Sequence, residues 1–573
     1  MRFGKTVLAN KRRLTFIFTI ALFGVILTWI RGTTASQLST AGKKEFHQGI
    51  KHHYMKDMCS TYFDYLQDSD ANWTVHNLEQ LKSHSSKKDI RNRVQIIRVF
   101  NQCFIEHANH LPVDRLKDLQ QKMFPMLTFK SPSMLSLDGQ ESFLLNDGDD
   151  IKHTRDDIDP INDSEETYLN MFWIQMKRRY TGKGIVISVH EFHTNDVVKL
   201  IRVLRYLEND LPIEIVHKGD ISKGSKDRIV REAKRDIEHE GKRLKALPAL
   251  SFVDASRALR HDWSSKILRF ANKWIAVLFS SFDDVIIMDT DVVPLIKPSL
   301  FFDNELFKKY GALFFKDRAL SETLWKPQVS FYRSLLPSMA ENHLFSIPMT
   351  TERSTNNTFF NLQKRHRMES GLVTIKKSTH LSGLLMSFHL HLWKTTSEPL
   401  HGDKELFWLG QSIAGNEQYA FSMYEAAAIG KLQDINKRKK AICGTQVAHL
   451  SDNGDLLWIN SGLRTCKIDS WNYDLDHVKS LKHKYPSGDD LKQSYTRPLE
   501  ADAAMVITDK PLSWWQRYIR RIGWFHEPSL GCLGYMWCAS TDLTEKYGAG
   551  LIFKLSENTI DTINSLAKLW TAN

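Results

Sequence analysis

Along this chain the spacing of apolar and polar positions changes in stages. Leu14 to Ile30 run without a charge, bounded by Lys11, Arg12 and Arg13 before and Arg31 after, a stretch at the short end of what spans a bilayer. Residues 32 to about 136 are polar and poor in glycine, with apolar positions such as Val94, Ile97, Val99 and Phe104 that predict short amphipathic helices. From Asp138 to Glu166 eleven acidic residues stand against two basic ones, broken by Gly139, Gly148 and Pro160, which reads as a linker or exposed loop.

At Gly184 the pattern turns to buried strands. Gly184-Ile-Val-Ile-Ser-Val is followed by a helical apolar face at Val197, Ile201, Leu204 and Leu207, then by Ile213-Glu-Ile-Val. Strand, helix, strand at that spacing is a βαβ unit, so a parallel sheet covered by helices is expected. A helix from Ile267 to Phe282 feeds a second such strand, Val285-Ile-Ile-Met, and later strand candidates are Ala312 to Phe315, Gly371 to Ile375 and Thr445 to Ala448. The fold class is α/β. The chain divides into a cytoplasmic tail (1–13), a transmembrane signal anchor (14–30), a helical stem with the acidic linker (31–180), a catalytic domain (181–510) and a C-terminal extension packed on it (511–573).

Composition adds topology. Arg2, Lys5, Lys11, Arg12 and Arg13 precede the apolar run, so the positive-inside rule keeps the N-terminus in the cytosol and sends the rest into the lumen. A short span suits the thinner membranes of the early secretory pathway. Six cysteines, all beyond the span, fit disulfides in an oxidising compartment. Neighbour pairing, 59 with 103, 443 with 466 and 532 with 538, is the simplest of 15 arrangements. Sequons at Asn72, Asn162 and Asn356 agree with a luminal address. The net charge of +12 is scattered among acidic residues, which excludes a nucleic-acid partner as the reading of the basic surface.

Chemistry concentrates after the second strand, at Asp289-Thr290-Asp291. Ligands of open parallel sheets gather at the carboxyl ends of strands. Two carboxylates one residue apart in extended chain point the same way and suit a hard divalent ion such as magnesium or manganese. Such an ion stabilises a departing diphosphate electrostatically. A haloacid-dehalogenase-like phosphatase shares the local pattern, but carries it on its first strand and needs a later acidic metal motif. Here the pair lies more than a hundred residues after the first strand.

The chain resembles the fungal α-1,3-mannosyltransferases of the Golgi, type II enzymes with a glycosyltransferase-A fold. The resemblance rests on Gly184-Ile-Val-Ile-Ser, Leu211-Pro-Ile-Glu-Ile, the run Phe279 to Pro294 around the paired aspartates, Leu313-Phe-Phe-Lys-Asp-Arg, Glu369-Ser-Gly-Leu-Val, Gly402-Asp-Lys-Glu-Leu-Phe-Trp-Leu-Gly, Gln446-Val-Ala-His-Leu and Leu457-Trp-Ile-Asn-Ser-Gly-Leu, over roughly residues 180 to 470. It departs from the family at Val189-His190-Glu191-Phe192-His193, where a smaller loop is expected.

The resemblance implies transfer of mannose from GDP-mannose to a terminal mannose of an N- or O-linked glycan, with retention of configuration and manganese (or magnesium) as the ion. It makes Asp291 the direct metal ligand, Asp289 the residue facing the ribose and the metal shell, and His449 the third ligand. The loop carrying Asp403 and Glu405 would approach the acceptor and the anomeric carbon; read as residues alone, the same pair is a helix-start cap. Lys316 to Arg318 and Glu369 to Gly371 are candidate phosphate or sugar contacts, and Trp408 and Trp458 candidate stacking surfaces or core. The partners implied are glycan acceptors, the Golgi membrane and Golgi retention partners. A UDP-sugar donor and a non-catalytic glycan-binding protein on the same fold remain the alternatives.

Overall fold

A computed structural model describes residues 57–79, 83–107, 109, 111–145, 171–508, 521–544 and 550–572. The chain forms two compact units, residues 1–69 and 70–573. Of the first, residues 57–69 are described and are helical. The expected tail and anchor, residues 1–30, lie outside the described residues, as does Asn162. No helix among the described residues is long and apolar enough to cross a membrane.

The second unit is built on a nine-stranded mixed sheet in the order Ala420–Phe421, Ala312–Lys316, Met368–Lys376, Asp284–Met288, Lys183–Ser188, Ile213–His217, Leu250–Asp254, Ser133–Ser136, Glu141–Phe143. The four strands from Asp284–Met288 to Leu250–Asp254 run parallel. They read as near-continuous apolar runs because both sheet faces are covered. The helix Thr194–Tyr206 connects the first two in sequence and buries Val197, Ile201 and Leu204, so the expected βαβ unit is present.

A second, six-stranded antiparallel sheet is ordered Gly550–Lys554, Ala503–Ile507, Ala427–Gly430, Val447–Leu450, Leu456–Asn460, Val293–Pro294. Val293–Pro294 follows Asp284–Met288 after a four-residue link, so Asp289-Thr290-Asp291 is the crossing from one sheet to the other. A third sheet joins Gln433–Asn436, Lys439–Gly444, Trp537–Asp542 and Gly523–His526.

Several expectations are corrected. Ser133–Ser136 pairs antiparallel with Leu250–Asp254 and with Glu141–Phe143; these strands extend the central sheet where stem and linker were expected. They are too short to show a period in sequence, and only pairing defines them. The helix Lys87–Phe100 is no detached stem either. At its end the Asn101 amide donates to Ser382 O at 3.0 Å, and Arg98 donates to Leu335 O at 2.7 Å. The helix expected over 267–282 is confined to a 3-10 turn, Arg269–Ala271, and an α-helix, Asn272–Phe279, because Arg269 adopts φ 54°. The strand expected at 445–448 lies at Val447–Leu450. In the C-terminal extension, Gly550–Lys554 pairs with Ala503–Ile507 as an edge strand of the second sheet, and Arg202 on the first crossover helix donates to Ala572 O at 2.8 Å.

The helices Lys377–Leu392 and Lys404–Ala414 cross closely under the sheet. A Cβ on Gly410 would lie 1.9 Å from Ser387 Oγ, so the crossing demands glycine there. Two disulfides join Cys443 to Cys538 and Cys466 to Cys532, in place of the expected 443 with 466 and 532 with 538; Cys59 and Cys103 are disulfide-bonded as well. Strand pairing decides the first: Cys443 and Cys538 stand opposite one another in the third sheet. No free cysteine occurs among the described residues. Asn72 and Asn356 are both exposed.

Candidate active site

Two cavities meet at the sheet crossing. One, about 650 Å³, and the other, about 360 Å³, share Phe270, Asp289, Asp291, Ser461 and Lys467 as lining. The paired aspartates thus stand between two chambers. Their backbone is pinned: Asp289 N donates to Gly371 O at 2.8 Å, and Gly462 N to Asp291 O at 2.7 Å. Gly371 allows this approach because a Cβ there would lie 3.0 to 3.1 Å from Asn460, Trp458 and Val292. Two non-glycine residues at the crossing, Arg269 (φ 54°) and Ser461 (φ 79°), hold left-handed backbone, a strain tolerated where the surroundings over-determine it.

Three lysines organise the carboxylates, of which Lys273 is buried. Lys273 Nζ lies 2.9 Å from Asp289 Oδ1, 3.0 Å from Asp403 Oδ2 and 2.9 Å from Ser370 O. Lys467 Nζ lies 2.7 Å from Asp291 Oδ2. Lys404 Nζ bridges Asp317 Oδ2 at 3.0 Å and Glu369 Oε2 at 2.8 Å. Burial opposes the charge on Lys273, yet Asp289 and Asp403 outweigh it and hold its pKa above the ordinary lysine value. Burial, with Asp403 and Asp291 nearby, pushes Asp289 up to about 7 against the pull of Lys273. Burial acts the same way on Asp291, but Lys467 prevails and its pKa is lowered.

The larger cavity is basic. Arg269 and Arg464 line it with no carboxylate at ion-pair distance among the described residues. His190 and His193, whose rings are 3.8 Å apart, and Trp570 also line it. The unexpected loop after the first strand therefore faces the cavity, whereas Phe192 turns out to solvent. In the smaller cavity the cations are already paired, Lys404 with Asp317 and Glu369, Arg318 with Asp317 at 3.3 Å. Asp403, Glu369, Tyr535 and Trp537 also line it.

Of the residues singled out from sequence, the fold brings Asp289, Asp291, Asp403, Glu369 and Arg318 together. Asp403 is 2% exposed and occupies the N-cap position of Lys404–Ala414, but its side chain makes no capping bond; the carboxylate is spent on Lys273 instead. Glu405 points away. It accepts from Arg367 N at 2.6 Å, Met368 N at 3.0 Å and the Trp408 indole at 2.5 Å, and burial pushes its carboxyl up to about 7. That is a structural role, securing the strand that carries Glu369.

His449 is not brought to the aspartates. It lies on Trp458 with ring centroids 3.9 Å apart, beside Phe315 at 5.4 Å, and lines neither cavity. It shares a strand face with Val447, which lines the smaller cavity, but its ring packs on Trp458 and Phe315. Trp408 and Trp458 are core, and Lys316 reaches Met423 O at 2.7 Å. Lys273, Arg464, Lys467, Tyr535, Trp537 and Trp570 were not legible as site residues. Lone basic and aromatic residues carry no spacing signal.

No group of three or more acidic, histidine or cysteine side chains able to hold a metal occurs among the described residues. The two aspartates nonetheless fit a hard cation. Their side chains are 35% and 24% exposed toward the cavities, and magnesium-like ions are commonly held by one or two carboxylates plus substrate phosphates.

A family model described as "Mannosyltransferase putative" matches residues 182–451. The α-1,3-mannosyltransferase MNT2 of Saccharomyces cerevisiae is 30% identical over 488 residues, covering 80% of this chain and 84% of its own length. The α-1,3-mannosyltransferase MNT3 of the same yeast is 27% identical over 486 residues, covering 80% and 72%. Among solved structures, the mannosyltransferase Ktr4p of S. cerevisiae aligns with TM-score 0.29 and 11% identity over 42% of this chain and 68% of that one. The mixed α/β fold, the paired aspartates at a strand end and the extent of the sequence match to the yeast enzyme MNT2 converge: the chain is a glycosyltransferase and belongs to the fungal α-1,3-mannosyltransferase family.

Proposed function

We propose that this chain is a metal-dependent, retaining α-1,3-mannosyltransferase of glycosyltransferase-A type that moves mannose from GDP-mannose to a terminal mannose of an N- or O-linked glycan. The observation that carries the reading is the position of Asp289 and Asp291 between a basic cavity and a smaller, charge-balanced one. The basic cavity takes the nucleoside diphosphate. Arg269, Arg464 and Lys467 offer it cations, and the adjacent rings of His190 and His193, tilted by 39°, offer an aromatic surface for the base. The smaller cavity takes the acceptor sugar.

Asp289 and Asp291 would hold manganese or magnesium, which supplies electrostatic stabilisation of the leaving diphosphate. Asp403, fixed by Lys273 at 3.0 Å, accepts a hydrogen bond from the acceptor hydroxyl and faces the positive charge that develops at the anomeric carbon. The departing phosphate takes the proton of that hydroxyl as the new bond forms on the same face. No second carboxylate at nucleophile distance is required, unlike a retaining glycosidase. Glu369, held by the Asn460 amide at 3.2 Å, shapes the acceptor side.

The address proposed is the Golgi membrane, through a type II anchor at residues 14–30, with retention partners there. The test is transfer by the segment from residue 32 onward, using GDP-mannose and an α-mannobiose acceptor with and without manganese, beside a panel of UDP-sugars. Metal-dependent mannose transfer supports the reading. Turnover of a UDP-sugar in its place overturns the donor, and activity undiminished without metal overturns the ion.

A further inference from the structure

The smaller cavity has a wall that neither the paired aspartates nor Asp403 explains. Tyr535 and Trp537 line this cavity and not the larger one. Both come from the third sheet and the turn before it, beyond the 182–451 segment that the family model matches. Resting on the transfer reading above, we propose that Tyr535 and Trp537 form a subsite for the sugar adjoining the acceptor's terminal mannose, so that the enzyme takes its acceptor as an oligosaccharide.

Three observations carry this. The first is charge. Lys404 is neutralised by Asp317 and Glu369. Arg318 is paired with Asp317, and its guanidinium lies 5.5 Å from the Trp537 ring centre. Such a chamber suits a neutral ligand with many hydroxyls, not a phosphate. The second is surface. Tyr535 is 47% exposed, and its hydroxyl has no hydrogen-bond partner among the described residues. Trp537 is half-buried: His526 lies across one strand pair with ring centroids 5.2 Å apart, and Gly444 across the other leaves that side without a covering side chain. An aromatic face beside hydrogen-bonding groups matches the two sides of a pyranose, apolar C–H and polar hydroxyl.

The third is rigidity. Cys532 and Cys538 bracket the wall in sequence, and each is tied by a disulfide, to Cys466 and Cys443. Cys466 immediately precedes Lys467, the partner of Asp291. The wall is thereby fastened to the strand end that carries the site, and a binding surface held on fixed elements loses less entropy when it engages a ligand. Trp408 and Trp458, the tryptophans that sequence spacing brings to notice, are core; the surface available for stacking is built from the C-terminal segment.

The experiment compares α-mannobiose with methyl α-mannoside as acceptors for wild type, Tyr535→Ala, Trp537→Ala and Trp537→Phe. The ratio of kcat/KM for disaccharide over monosaccharide is expected to fall about tenfold in each alanine variant, and Trp537→Phe should recover most of it. Tyr535 is exposed, so its replacement keeps the fold even if Trp537→Ala does not. A ratio preserved in folded Tyr535→Ala overturns the subsite, as does one preserved in folded Trp537→Ala. Calorimetric titration of α-mannobiose without donor reads the wall separately from transfer. If wild type transfers no mannose, the transfer reading fails by itself. The subsite then stands or falls on whether Tyr535→Ala weakens mannobiose binding by a similar factor.

Discussion

Lys273 Nζ lies 3.0 Å from Asp403 Oδ2, so the helix Asn272–Phe279 that precedes the motif strand reaches the residue that starts Lys404–Ala414. The same ammonium holds Asp289 at 2.9 Å. Removing one partner of a buried ion pair costs about 3–5 kcal/mol because the other charge is stranded. Lys273→Met is therefore expected to lower stability by that order. Adding Asp403→Asn should restore part of it, a non-additivity readable by a double-mutant cycle in denaturant unfolding. Simple additivity would show that the contact carries no coupling.

Asp403 and Glu405 separate by readout. Asp403→Asn is expected to lower kcat at least tenfold, with a smaller change in donor KM. Glu405→Ala strands two backbone N–H groups and an indole N–H, at about 1–3 kcal/mol for each unsatisfied group. Its melting temperature should fall while kcat per folded molecule stays within a few-fold. The opposite pattern would exchange their roles.

Asp291→Ala is expected to leave less than a tenth of wild-type transfer. Chelation should do the same to wild type, with recovery on adding manganese or magnesium. Retained transfer by the folded variant would remove Asp291 from the machinery. Asp291→Asn, which keeps the side-chain shape and an acceptor oxygen beside Lys467, separates loss of the carboxylate charge from loss of packing.

Buried histidines set an acid limit. His76 and His389 lie 2.8 Å apart, Nε2 to Nδ1. Burial pulls His389 and His449 down to about 3, and burial with His389 nearby holds His76 well below its ordinary value. A depressed pKa means that the unfolded chain binds the proton and the folded chain does not. The stability involved is complete above about pH 6.5 and is lost as pH falls, by about 1.4 kcal/mol per pH unit for each such histidine. Melting temperature should drop between pH 7 and pH 5, and His449→Gln should flatten that dependence. An unaltered slope in the variant would mean that His449 does not titrate differently in the two states.

The strands and the motif were legible because their signals are local. An apolar run such as Val285 to Met288 states its own burial, and the motif stands at the end of that run; the extended alternation expected for Asp289 and Asp291 is replaced by a turn, closed by Val292 N donating to Asp289 O at 3.1 Å. The helix Thr194–Tyr206 declares its buried face by a period that neighbouring residues suffice to show. Composition likewise bounded the compartment expected for the chain.

Tertiary structure decided what depends on residues distant in sequence. Lys273, Lys467 and Arg464 join the site because the crossing of two sheets brings their elements to one place. Cys443 and Cys538 join because their strands pair at that register, 95 positions apart. His449 and Asp403 show the same limit from both sides. Each is one polar residue beside an apolar run, equally readable as ligand or as structure; the face each presents was settled only by the layer packed against it, Trp458 for the histidine and Lys273 for the aspartate. Periodicity encodes which way a side chain points along its own element, whereas what it meets there belongs to the packing of the whole chain.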